Sequence, residues 1–278
     1  MKPQARPWFL SFPLRALRAA DWYVQILLHL VCAAVYATAV RVQVFPYLRM
    51  VGWTTVIAVI AIAGGYLLNN VADHQGDAYK ARPFFRSRHE VFGAALLSVA
   101  SFALALSIVH LLAKGPWMLV VAWSQLGLGV AYSVPPIRLK ERGILGVISA
   151  AAAQRLPNFL MLAVSVPFDT AAVLIVSAWL LVLGLAFIVD HQLIDLVNDE
   201  RSGTRTWVRS VGRQRGLRAR RWLYGAFIVA SGALAVLVAY RCSTLAGAAV
   251  AITVLAVALA LVRAGERHFD RHTGAQGI

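Results

Sequence analysis

Apolar residues gather into eight long blocks, at about 22–40, 51–68, 91–113, 117–134, 144–166, 171–189, 222–240 and 244–262. Each approaches the roughly 20 apolar residues that a helix needs to cross a bilayer core. In lipid a free backbone N–H or C=O finds no partner, so every block is expected to be helical. Several ends have a local cause. Pro135 and Pro136 stop the fourth block, because proline lacks the N–H and restricts the residue before it. Lys114, Gly115 and Pro116 make the turn before it, and Pro167 closes the fifth block. The fold class predicted is all-α: a polytopic transmembrane bundle of about eight helices around a central cavity, one membrane-embedded domain over residues 1–278.

The charges agree with eight spans. With both termini on one side, that side collects 22 of the 27 Lys and Arg residues. The other side has four (Arg41, Arg49, Lys114, Arg241), and Arg155 lies inside the fifth block. The positive-inside rule makes the basic side cytoplasmic, in a bacterial-type cell membrane. A seven-span count would break this segregation. Composition points the same way: 60% of the 278 residues are hydrophobic and 14% charged, against about 45–50% and about 25% in soluble domains. That excludes a disordered chain and an ordinary soluble globule. The net charge of +15 sits between apolar blocks, so anionic lipid accounts for it better than nucleic acid; the arginine run at 213–221 is expected against headgroups. No removable signal peptide is expected. Cys32 and Cys242 form no disulfide framework and read as apolar fillers. Trp22, Trp53, Trp117 and Trp222 fall near block ends, as interfacial anchors do. His29 and His110 read as packed or paired histidines, His74 and His191 as solvent-facing ones.

The twelve acidic residues are placed unevenly, and half of them follow two blocks. After the second comes Asn69-Asn70-Val71-Ala72-Asp73-His74-Gln75-Gly76-Asp77. Asn69, Asp73 and Asp77 recur every four residues, hence on one face of a helix running past the apolar block. Side-chain oxygens so spaced repel unless a cation or water lies between them, and hard oxygen ligands suit Mg²⁺. Lys80, Arg82, Arg86 and Arg88 follow and suit phosphate oxygens. After the sixth block comes Asp190-His191-Gln192-Leu193-Ile194-Asp195-Leu196-Val197-Asn198-Asp199-Glu200, with Asp195 and Asp199 again four apart. Gln192 shares their face, whereas Asp190 lies about 140° round the helix from Asp195. The plain alternative is two helix ends bearing solvated charges. Acids beside a helix C-terminus oppose the macrodipole, however, and a bound cation relieves that cost.

These segments resemble the UbiA superfamily of intramembrane prenyltransferases. Asn69-Asn70-x-x-Asp73-x-x-x-Asp77 is similar to its first aspartate-rich motif, with Asn70 where Asp is usual. Asp195-x-x-x-Asp199-x-x-x-Gly203-x-x-Thr206, with Gly212 beyond, is similar to the second, with Gln192 where many members have another Asp. Tyr132-Ser133-Val134-Pro135-Pro136, with the basic stretch through Arg138 and Lys140 to Gly143, is similar to the loop between them. The resemblance implies a helical bundle, commonly of nine helices, in which the two motifs bind two Mg²⁺ ions that hold an isoprenyl diphosphate. The prenyl group then passes to an acceptor, often aromatic. Carried over, Asn69, Asp73 and Asp77 go to one metal, and Asp195 and Asp199 to the other. Lys80, Arg82 and Arg138 are diphosphate contacts. Tyr132 shields the allylic cation, and Asp73, Asp195 and Tyr132 form the catalytic set. The partners implied are an isoprenyl diphosphate, an aromatic acceptor and membrane lipid, with no nucleic acid. Two alternatives stay open: a terpene cyclase, in which the substrate's own double bond captures the cation, and an ion-coupled transporter, for which acids at helix ends are less suited than acids at the midplane.

Inside the fifth block lie Gln154, Arg155 and Asn158. A charge in mid-membrane faces the bundle interior by default and is a functional candidate. Arg155 and Asn158 are three apart, hence neighbours on one face, and are assigned to acceptor binding. An acidic acceptor such as a hydroxybenzoate or naphthoate would partner Arg155, and Arg155→Leu should then raise the acceptor KM. The structural alternative is an interhelical hydrogen-bond pair or an acid partner for Arg155.

Overall fold

The computed structural model describes residues 19–40, 42–74, 85, 87–242 and 245–274. All eight apolar blocks are helices: α1 (Ala19–Ala39), α2 (Val44–Ala72), α3 (Arg88–Leu112), α4 (Pro116–Ser133), α5 (Ile144–Ala163), α6 (Thr170–Ile194), α9 (Arg213–Arg241) and α10 (Leu245–Gly274). Two short helices, α7 (Leu196–Ser202) and α8 (Trp207–Val211), lie between α6 and α9, and a 3-10 turn spans Leu139–Glu141. Among the described residues six helices are long and apolar enough to cross a membrane: α2, α3, α5, α6, α9 and α10. α1 offers only the apolar stretch Tyr23–Ala39, and α4 is just 18 residues long.

Several helices outrun their apolar blocks. α2 starts seven residues early, α9 starts at Arg213 rather than near 222, and α10 runs to Gly274 rather than 262. An apolar window marks what lipid covers, whereas a helix continues until its backbone groups find other partners. The fifth helix differs the other way. It ends at Ala163, four residues before Pro167, and carries Pro157 inside. Neighbouring helices and polar groups in a membrane bundle can satisfy the carbonyl such a proline frees.

Neighbours pack in order, α1 on α2, α2 on α3, α3 on α4, α4 on α5, α5 on α6, α6 on α9, α9 on α10, and α10 back on α1. α5 also touches α1 and α2 across the ring. Two apolar cores hold the halves. One joins Tyr36, Phe159, Trp179, Leu183 and Phe227 from α1, α5, α6 and α9; the other joins Ile57, Val109, Met118 and Met161 from α2 to α5. Polar bonds lock the seams. Trp179 Nε1 donates to Ser231 Oγ at 2.7 Å, and Ser98 Oγ donates to the Gly64 carbonyl at 2.8 Å. A Cβ on Gly64 would come within 3.0 Å of Ser101 Cβ, so glycine lets α2 and α3 approach. Trp53, Trp117 and Trp222 are exposed; Trp117 stands at the start of α4, whereas Trp53 and Trp222 lie inside α2 and α9, which begin nine residues before them; the side chain of Trp22 lies outside the described residues.

Candidate active site

The first acidic segment is built on the end of α2. The helix closes at Ala72, and Asp73 N–H still donates to the Asn69 carbonyl at 3.0 Å. Asn69 and Asp73 are therefore one turn apart on one face, as the four-residue spacing predicts. Asp77, Lys80 and Arg82 lie outside the described residues.

The loop after α4 comes to this face. Arg138 sits in the left-handed region (φ 40°), and the 3-10 turn that follows abuts the start of α5. A Cβ on Gly146 would lie 2.7 Å from the Leu139 carbonyl oxygen, so only glycine allows that approach. The turn delivers two cations to one carboxylate. Arg138 Nη2 donates to Asp73 Oδ1 at 3.1 Å, and Lys140 Nζ donates to the same oxygen. Lys140 also donates to Asn69 Oδ1 at 3.2 Å, and Ser133 Oγ donates to that oxygen at 3.3 Å. Arg138 Nε is held in turn by Glu141 at 2.6 Å. Lys140 is 9% exposed. Burial pulls its ammonium below the ordinary lysine value, while the Asp73 carboxylate pushes back.

The second segment is more open. α6 ends at Ile194, Asp195 is the hinge residue, and α7 begins at Leu196. Asp199 N–H still donates to the Asp195 carbonyl at 2.8 Å, so the four-residue register survives the break. His191 Nε2 lies 3.3 Å from Asp195 Oδ2, with both side chains well exposed. Asp199 Oδ2 accepts from Thr206 Oγ1 at 2.9 Å. Burial pushes the Asp199 carboxyl up to about 6, helped by the Asp195 charge and opposed by the Thr206 hydrogen bond.

Tyr132 is on the last turn of α4. It packs against the cluster of Val147, Ile188, Val189 and Leu193 at the ends of α5 and α6. Its hydroxyl lies in the electrostatic field of Asp73, of Asp199 and of Tyr66.

Two residues of the second segment have structural employment. Gln192 Oε1 is buried and accepts from the Val208 backbone N–H at 3.1 Å, which anchors α8. Asp190 accepts from Arg220 Nε and Tyr224 Oη, both at 2.6 Å, and so braces α6 against α9. Arg220 also stacks on Phe269 of α10, 4.6 Å from its ring centroid. A Cβ on Gly265 of α10 would collide with the Tyr224 hydroxyl. The helical angle that separates Asp190 from Asp195 was the sequence signal for this different role.

Deeper in the bundle, Arg155 and Asn158 of α5 are buried and line one small cavity with Gln154, Phe159, Leu180 and, from α1, Gln25, Leu28 and His29. The stem of Arg155 lies against α6 where a Cβ on Gly184 would come within 2.8 Å of it. Its guanidinium stands 5.2 Å over the Phe187 ring and within the field of Tyr66. His29, expected to be paired, meets Thr54 Oγ1 at 3.0 Å.

The candidate metal donors at the two helix ends are oxygens: Asn69 Oδ1 and Asp73 after α2, Asp195 and Asp199 after α6. Asp73 and Asn69 already draw two cationic side chains, which is the chemistry of a site suited to a hard divalent ion. Among the described residues no three of His, Cys, Asp and Glu converge tightly enough to hold a metal alone. An amide oxygen and the oxygens of a bound diphosphate would have to complete the shell.

A family model described as the UbiA prenyltransferase family matches residues 28–276. No curated protein sequence matches the chain significantly. Among solved structures, a UbiA homolog from Archaeoglobus fulgidus bound to Cd²⁺ has a TM-score of 0.69 at 16% identity, covering 94% of this chain and 90% of that one. The same homolog bound to DMAPP and Mg²⁺ gives 0.67 at 16% identity, covering 89% and 84%. A structure of digeranylgeranylglyceryl phosphate synthase gives 0.61 at 13% identity, covering 97% and 99%. At such identities the likeness is one of fold.

Proposed function

Since the chain belongs to the UbiA prenyltransferase family, we propose that it transfers a prenyl group from an isoprenyl diphosphate to an aromatic acceptor within the membrane, with Mg²⁺. The observation that carries this is the meeting of Asn69 and Asp73 at the end of α2 with Arg138 and Lys140 from the loop after α4. Two solved homolog structures hold DMAPP or GPP with Mg²⁺, which supports the substrate class.

Asn69, Asp73 and Asp77 would hold one ion and Asp195 and Asp199 the other. When bound, Mg²⁺ supplies Lewis-acid neutralisation of the charge on the leaving diphosphate. The chain's own residues do the rest. Lys140 and Arg138, now spent on Asp73, turn their N–H donors to diphosphate oxygens, where charge-assisted bonds are strongest. Lys80 and Arg82 are proposed for the same task on their place in the sequence alone. As the C–O bond to diphosphate breaks, the Tyr132 ring face steadies the allylic cation, and the apolar walls keep out water that would otherwise give a prenyl alcohol. Arg155 and Asn158 hold the acceptor. The basic, acid-bearing end of the bundle is proposed to face the cytoplasm, in a bacterial-type cell membrane. The acids stand at helix ends rather than at mid-bundle, which disfavours a transporter.

The test is product analysis. Detergent-purified protein with Mg²⁺ is offered prenyl diphosphates of several lengths, with and without phenolic acceptors, and the products are identified by mass spectrometry. A prenylated acceptor supports the proposal; a cyclic hydrocarbon formed without acceptor replaces it with a cyclase.

A further inference from the structure

α6 breaks at Asp195, and α7, which bears Asp199, has no buried residue of its own. The course of α7 is therefore set by what holds the last turn of α6. Three contacts do so. Gln192 Oε1 accepts from the Val208 N–H of α8. Leu193 lies against Gly216 of α9, where a Cβ would come within 3.0 Å of its Cδ2. Asp190 makes the third contact, and it is charged. It is 6% exposed. Its two oxygens are taken separately, Oδ1 by Arg220 Nε and Oδ2 by the Tyr224 hydroxyl, each at 2.6 Å.

Arg220 is fixed in turn. Its guanidinium carbon stands 5.0 Å from the Tyr224 ring centroid on α9 and 4.6 Å from the Phe269 ring centroid on α10. Phe269 comes from the stretch of α10 beyond its apolar block, and it packs on the cluster of Val147, Val189, Leu193 and Val208. Gly265, one turn earlier, leaves room for the Tyr224 hydroxyl. A Cβ there would overlap that hydroxyl and stand 3.4 Å from Asp190 Oδ2.

A buried ion pair is a weak source of stability, because desolvation offsets much of the attraction and apolar side chains of similar volume often serve as well. Here Arg220 Nη2 is also buried without an acceptor among the described residues, which is a further cost. What the pair adds is direction. Two short bonds to separate oxygens, from donors one turn apart on α9, fix the rotation of α6 five residues before Asp195. Mg²⁺ demands near-ideal octahedral geometry, so the rotation of a helix that delivers ligands decides whether they reach the ion.

We propose that Arg220 and Tyr224 act through Asp190 as positioning residues for the second acidic end, with Phe269 and Gly265 of α10 holding them in place. The inference rests on the reading of Asp195 and Asp199 as metal ligands. It gives the polar end of α10 a part in the reaction, although none of its residues lies in either acidic segment.

A matched pair of variants makes the test. Tyr224→Phe and Ser231→Ala each remove one hydroxyl and one buried bond between α6 and α9, the first at Asp190 and the second at Trp179, about 16 Å away along α6. Both should lower Tm in detergent. In the metal-free full chain, amide exchange over residues 191–202 should quicken about tenfold in Tyr224→Phe and in Phe269→Ala, and less than about twofold in Ser231→Ala. Mn²⁺ is then titrated, and its binding is read by electron paramagnetic resonance as loss of the free-ion signal. Affinity should weaken about tenfold in Tyr224→Phe and Phe269→Ala and up to about 100-fold in Arg220→Met, the range of partners that stand behind metal ligands. Ser231→Ala should hold it within about twofold, because it loosens the same helix pair elsewhere. Unchanged exchange in folded Tyr224→Phe and Phe269→Ala overturns the proposal, and so does an equal effect in Ser231→Ala. Asp195→Ala tests the underlying reading separately. Affinity lost in Asp195→Ala but unmoved in Tyr224→Phe and Phe269→Ala sinks the positioning role alone. Local quickening in those two variants, with affinity unmoved in Asp195→Ala, sinks the metal reading alone.

Discussion

The two acidic helix ends read alike in the chain and differ in what surrounds them. At the end of α2, Asp73 is already compensated by Lys140 and Arg138 from the loop after α4. At the end of α6, among the described residues, the Asp195 side chain meets an exposed histidine and the Asp199 carboxylate accepts from a threonine hydroxyl. The first end is an acid and an amide already bonded to two cationic side chains of the loop after α4. The second sits on a helix break and keeps carboxylate oxygens open. One segment is thus neutralised within the fold, and the other keeps its charge for a ligand.

Removing a carboxylate should hurt at both ends and most at the open one. Asp195→Ala and Asp73→Ala should each lower diphosphate release by more than about 100-fold, beyond the 10–100-fold typical of an outer-shell partner. The asymmetry should show in Mg²⁺ titrations, where Asp195→Ala shifts the Mg²⁺ requirement further because no side-chain cation covers its loss. Equal activity in both variants and the unmodified chain breaks the two-segment account. Lys140→Met probes the preformed end. A lost charge-assisted bond is worth about 1.5–3 kcal/mol, so the KM for the prenyl diphosphate should rise about 10- to 100-fold.

Acidity separates the ends further. Asp199 titrates near 6, above the ordinary carboxylate range. The metal-free fold therefore binds this proton more tightly than the unfolded chain does, and this group adds stability as pH falls from about 6 toward 4. Mg²⁺ binding needs the carboxylate, so Mg²⁺-dependent turnover should fall across the same window. Thr206→Val removes the bond that holds the Asp199 value down, and should move the inflection of the pH–rate profile upward. A downward move contradicts the assignment.

Smaller effects test what supports the open end. Tyr224→Phe removes a buried bond to Asp190 and should cost about 1–3 kcal/mol, read as a lower Tm in detergent. His191→Ala removes an exposed pair worth at most about 1 kcal/mol, and should change turnover only about twofold.

The apolar blocks show why the fold was legible. Lipid imposes one length and one backbone solution, so eight helices could be counted without packing information. The ends beyond the blocks were not legible: the last stretch of α10, with Gly265 and Phe269, is polar enough to pass for a tail, yet it packs on Tyr224 and Arg220. Spacing alone placed Asn69 with Asp73 and Asp195 with Asp199. It could not show that Gln192 serves α8, because that bond joins residues 16 apart across a helix break. Nor could it choose Lys140 over its neighbours; the left-handed turn at Arg138 and the close approach at Gly146 aim that side chain. His29 read as an ordinary packed histidine, and only the tertiary meeting of α1 with α5 sets it on the same small cavity as Arg155.

The central claim is that both acidic ends grip one diphosphate, and metal counting tests it most directly. Mn²⁺ replaces Mg²⁺, a non-hydrolysable prenyl diphosphate analogue is added, and bound Mn²⁺ is quantified by electron paramagnetic resonance. The account predicts two spin-coupled ions per protein, with the coupling lost in Asp73→Asn and in Asp195→Asn alike. Uncoupled ions, or a coupled pair that survives either substitution, would contradict it.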